Sequence, residues 1–132
     1  MTTLLEIENA VRQFFYDNWS VTEIAWANRE YEPSVETAWV ALSILPGSSF
    51  VDEVGQATSA AGHRGGVVMV RIFTTLNEGV VTAITYGDQV EALFRRKTLA
   101  GVYFDEPYTT VVGLDGAWHQ INVTCPFWAW NG

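Results

Sequence analysis

Tyr108-Thr109-Thr110-Val111-Val112-Gly113-Leu114-Asp115-Gly116-Ala117-Trp118-His119-Gln120-Ile121-Asn122-Val123-Thr124-Cys125-Pro126-Phe127 reads as a β-hairpin. Tyr108, Thr110, Val112 and Leu114 alternate with Thr109, Val111 and Gly113, the period of a strand. Asp115-Gly116 supplies the two-residue turn, since Gly accepts the positive φ that tight hairpins require. The return strand, Ala117–Phe127, puts Ile121, Val123, Cys125 and Phe127 on one face and Trp118, Gln120, Asn122 and Thr124 on the other. The first set suits a core. The second is too polar for one, so that side of the sheet faces solvent or a partner.

Working back from the hairpin, Gly79 to Lys97 reads as a helix with a buried stripe of Ala83, Tyr86, Gly87, Val90, Leu93 and Phe94. Gly87 lowers helix propensity there but permits close packing. Before it, Val67–Thr75 is largely apolar on both faces, as in a central strand: Val68, Val70 and Ile72 on one, Val67, Met69, Arg71 and Phe73 on the other. Glu36–Leu45 is a further strand with Val40, Leu42 and Ile44 on one face, and Pro46-Gly47 is expected to end it. A short extended piece is expected at Glu23–Trp26. Leu4, Ile7, Val11, Phe14 and Phe15 fall at helical spacing over residues 4–19, and Thr3 with Glu6 fits a capping box. Between the strands, residues 46–65 are rich in small residues around Phe50, Val51 and Val54 and read as a protruding arm or hairpin. Gly62-His63-Arg64-Gly65-Gly66 is then a hinge feeding the arm back into the sheet. The sum is an α+β fold: a mainly antiparallel sheet, two α-helices on one face, and a long protruding loop or hairpin, in a single domain over residues 1–132.

Composition narrows the function. The chain has 132 residues and a net charge of -8, from 7 basic and 15 acidic residues. Phosphate binding needs clustered Lys and Arg, so such a surface repels nucleic acid and anionic membranes. One cysteine excludes an internal disulfide and fits a reducing compartment. The N-terminus lacks the basic and apolar segments of a signal peptide, and no stretch approaches transmembrane length.

Catalytic chemistry finds little support. The two histidines, His63 and His119, stand apart, and there is no Gly-x-Ser-x-Gly elbow. Cys125 shares the core face and reads as a small hydrophobe. Two isolated histidines and one buried cysteine do not make a metal site, and no cofactor-binding residue is assigned. The acidic pairs Asp52-Glu53, Asp105-Glu106 and Asp88 with Glu91 read as solvated surface. The glycine-rich run lacks the Lys-Ser/Thr ending and the following helix of a phosphate cradle. His119, Tyr103, Asp105 and Tyr108 are the weak candidates for a pocket enzyme or ligand-binding domain, which would need convergent polar groups in a concave site.

Candidates for contact are easier to name. Arg95-Arg96-Lys97 follows the second helix, where cations suit the dipole or form a patch for an acidic surface. Six tryptophans are a heavy load for one small domain. Trp19 and Trp39 suit the core, whereas Trp128 and Trp130 continue the parity opposite to it. The candidate subunit or partner interface is therefore Phe50, Val51, Arg64, Arg71, Arg95, Arg96, Lys97, Trp128 and Trp130.

The N-terminal helix, the Ala38-Trp39-Val40 strand, the Leu45-Pro46-Gly47 exit and the Arg64-Gly65-Gly66-Val67 re-entry together resemble the tail terminator proteins of long-tailed phages. The helix ending near Phe94, the closing Asp115-Gly116-Ala117-Trp118 and Pro126-Phe127 extend the likeness over nearly the whole chain, through order and texture and no diagnostic motif. The resemblance implies a non-enzymatic virion protein, assembled in the host cytoplasm, forming a ring (typically of six subunits) at the head-proximal end of the tail tube. Its implied partners are itself, the tube protein and a head-tail connector or stopper. DNA passes through the channel without specific binding, and no membrane is involved. A related neck or tail-completion protein would share the architecture and differ in where it docks.

Overall fold

The computed structural model describes residues 3–26, 38–51, 62–76, 79–99, 101–116 and 118–130. In chain order the elements are α1 (Leu4–Asn18), β1 (Glu23–Trp26), β2 (Trp39–Val51), β3 (Gly62–Thr75), α2 (Gly79–Phe94), β4 (Thr98–Leu99), β5 (Val102–Phe104), β6 (Tyr108–Asp115) and β7 (Trp118–Trp130). The expected α+β architecture is the observed one. Strand order is β1-β2-β3-β7-β5-β4, and β6 also pairs with β7. β7 is long enough to hold two partners along one edge: β6 along Trp118–Thr124 and β5 along Phe127–Ala129. Every pairing is antiparallel except β1 with β2.

The helices follow from their sequences. At the start of α1 the Glu6 backbone N–H donates to Thr3 Oγ1 (3.2 Å), and the Thr3 hydroxyl donates to the Glu6 carboxylate (3.2 Å). The first of these bonds satisfies a backbone donor that a helix start leaves without an intrahelical partner. Ile7, Val11 and Phe15 are fully buried, as are Ala83, Val90 and Phe94 of α2. The two helices meet through aromatic rings: Phe94 stacks on Phe15 at 6.1 Å and takes the edge of Phe14 at 5.5 Å. Trp19 meets Tyr86 at 6.3 Å, its indole N–H donating to Thr22.

Both helices contribute to one core cluster on one face of the sheet. Register lines that face up in rows: Val40–Ile72–Ile121, Leu42–Val70–Val123 and Ile44–Val68–Cys125. A Cβ added to Gly87 would lie 3.0 Å from Ile121, which is the close approach of α2 to β7 that this glycine permits.

Three expectations are corrected. Pro46-Gly47 does not end β2; the strand continues to Val51 with a register shift between Pro46 and Ser49. Proline cannot donate to a ladder, and a bulge is where a strand tolerates it. Residues 62–66 are not a hinge but the first part of β3, paired with β2 on one side and β7 on the other. The arm at 46–65 therefore begins and ends as a paired hairpin stem, and its residues 52–61 lie outside the described residues. Finally, α2 stops at Phe94, with Arg96 at φ 50°, and the chain then makes the short β4–β5 hairpin that periodicity over two or three residues could not reveal.

Candidate assembly surface

The helix-free side of the sheet is the first surface. Parity along the central strands puts Trp39, Ala41, Ser43 and Leu45 of β2 on it. They lie beside Val67, Met69, Arg71, Phe73 and Thr75 of β3, and Trp118, Gln120, Asn122, Thr124, Pro126 and Trp128 of β7. Arg71 is the one charged side chain in that set, in a chain of net charge -8. Glu23 marks its rim on β1, beside Trp39. Trp39 stacks on Phe73 at 4.1 Å and meets the edge of Trp118 at 6.1 Å. The expected polar face is thus polar and aromatic together. Its Gln120 and Thr124 are buried among their neighbours, and Gln120 donates to Asn122 at 2.8 Å. Among the described residues no helix covers this face.

A second surface lies at the other side. Tyr108, Val111, Val112 and Leu114 of β6 are all at least half exposed, as are Val80 and Val81 of α2, with Ile84 close to that at 45%. Among the described residues β6 pairs on one side alone, leaving backbone groups along its outer edge available. Val81, Ile84 and Asp88 fall at i, i+3 and i+7, so they form one outward stripe on α2.

The basic residues after α2 form a corner neutralised by the chain's own acids. Arg95 pairs with Glu91 at 2.9 Å and with Glu106 at 2.7 Å, and Arg96 reaches Glu106 at 3.5 Å. Glu91 also accepts from the Thr109 hydroxyl, tying α2 to β6. Lys97 sits over the Phe14 ring at 5.4 Å. Arg64 is half-buried at the hairpin stem, far in register from Arg71. Trp128 is half-buried and stacks on Tyr103 at 4.6 Å, so part of its ring docks on its own domain. The side chains of Phe50, Val51 and Trp130 lie outside the described residues, as does that of His63. Reasoning from sequence singled out Arg71 and put Trp118 on this face, but assigned Trp39 to the core and missed the α2 stripe. Cross-strand register was the missing signal for Trp39.

The residues weighed for pocket chemistry do not converge. His119 lies opposite Thr74 at the turn end of β7, whereas Tyr103 stacks on Trp128 near its other end. Asp105 and Tyr108 are exposed, and the Asp105 backbone pairs with Pro126. Shallow grooves of about 340 and 640 Å³ flank α1 and β1, lined by residues such as Arg12, Tyr16, Trp19 and Trp26 and by none of these four. Among the described residues no three His, Cys, Asp or Glu side chains cluster as a metal site would need. Burial, then the charge of Glu91, pushes the Cys125 thiol up to about 12, which leaves it protonated and a poor nucleophile.

Comparison with known proteins adds two findings. The family model described as phage tail terminator protein matches residues 6–127. Solved structures match as well. One superposes with a TM-score of 0.65 at 14% identity, over 95% of this chain and 96% of that one, which shows a shared fold. No curated protein matches.

Proposed function

This chain belongs to the phage tail terminator family, a structural component of the phage tail, and we propose that it closes the head-proximal end of the tail tube as a ring. The match over residues 6–127 carries this reading, because it spans most of α1, all of α2 and every strand from β1 to most of β7. In that role the protein stops tube polymerisation and presents a docking surface to the head connector or stopper. Six subunits is the ring size that the family resemblance implies. Heterologous contacts suit such a ring, since a head-to-tail interface that closes on itself consumes all its binding surfaces. The exposed apolar row on β6 and the exposed Val81 and Ile84 of α2 support contacts outside the subunit. DNA moves through the channel without base-specific contacts, consistent with a chain of net charge -8.

The direct test is tube assembly with and without the protein. Tail assembly lacking it yields tubes of unregulated, excess length, and adding the purified protein restores a defined length. Tubes of normal length in its absence would refute the terminator role.

A further inference from the structure

Arg71 is exposed at the centre of a sheet face otherwise free of charge on the central strands, and among the described residues it forms no ion pair. It differs in this from Arg95 and Arg96, which are held by acids, and from Arg12 and Lys97, which lie over rings. Its cross-strand neighbours are Ala41 and Asn122, and toward the Trp118 end of the same face lie the stacked rings of Trp39 and the buried Phe73, then the edge-on Trp118 opposite Thr75. Aromatic residues, Met and Arg enriched with Asp, Glu and Lys depleted is the composition of an interface centre. Rings already packed against one another lose little side-chain entropy on docking.

The complementary features occur elsewhere on the same chain. On α2, Val81 and Ile84 are exposed large hydrophobics, and one turn further along the same stripe stands Asp88. Asp88 is exposed and, among the described residues, has no cationic partner. Among the described residues, one surface therefore offers an unpaired cation on a face that carries rings at one end, and another an unpaired carboxylate beside aliphatic side chains. They sit on different sides of the subunit, because α2 packs on the opposite face of the sheet from Arg71. Two such patches on one molecule cannot meet each other. They can meet head to tail between copies, which is the heterologous geometry of a ring.

We propose that the helix-free sheet face of one copy docks on the α2 stripe of the next, Arg71 pairing with Asp88 while Trp39 and Trp118 pack on Val81 and Ile84. The proposal rests on the ring reading above and names the two halves of its subunit contact. A desolvated charge pair of this kind fixes register and penalises like-charge juxtaposition.

A charge swap tests it. Wild type, Arg71→Asp, Asp88→Arg and the double variant are compared by sedimentation velocity, alone and with tail tubes, alongside thermal unfolding. Both positions are exposed, so all four unfold within a few degrees of one another. Each single variant weakens self-association about tenfold or more, and the double variant returns to within a few-fold of wild type. Single variants that assemble like wild type, or a double variant no better than the worse single, overturn the proposal. So does loss of tube binding with ring formation intact, which would assign the face to the tube protein. If wild type itself forms no closed oligomer, alone or on tubes, the ring reading falls and this contact falls with it.

Discussion

Cys125 shows how much a single residue's fate is set by strand parity. It alternates with Ile121 and Val123 toward the helices, and it is completely buried. Burial raises its thiol from an ordinary value of 9.0 to about 12, so the folded chain keeps a proton that the unfolded chain releases. Stability is therefore unaffected by this group below pH 9 and declines between pH 9 and about 12, by at most about 1.4 kcal/mol per pH unit. Urea unfolding at pH 8 and pH 10 measures it, with Cys125→Ala as the control whose pH dependence is flatter. An equal pH dependence in both proteins would show that the thiol contributes nothing. Parity was legible in the same way for Trp128, which lies opposite to the core as expected. Its stacking on Tyr103 was not legible, because it depends on the three-residue strand β5 meeting the far end of β7.

At the scale of elements, the long periodic segments were readable and the irregular ones misled. α1, the β6–β7 hairpin and the core rows of β2 and β3 follow from the spacing of apolar residues. Pro46, Gly47 and the glycines near residue 65 carry the chemistry of turns, yet here they serve a bulged pair of long strands. Gly66 explains why: a Cβ there would lie 2.6 Å from the Leu45 carbonyl oxygen and 2.8 Å from Phe127 Cζ. The glycine is needed for an aromatic ring to lie across the strand, not for flexibility. Gly66→Ala accordingly destabilises the domain by about 1–3 kcal/mol, the range for overpacking a tight site. A lowered thermal midpoint with unchanged far-ultraviolet circular dichroism at low temperature is the expected result. An unchanged midpoint would mean that β2 and Phe127 yield without cost.

For the whole molecule, the order of helix, strands, long arm, strand, helix and closing hairpin pointed to tail terminators, and the family match confirms that membership over residues 6–127. Sequence reasoning weighed the basic run after α2 as an assembly patch, and the structure shows two of its three members tied to Glu91 and Glu106. The face around Arg71 could not be read from one strand at a time, since it is assembled by the register of β2, β3 and β7. The proposed function requires that this subunit act as a closed ring on the tube. Electron microscopy of the purified protein mixed with tail tubes tests that claim most directly. A ring of uniform subunit number is expected to cap one end of each tube. Tubes with bare ends, or decorated along their length by single subunits, would contradict it.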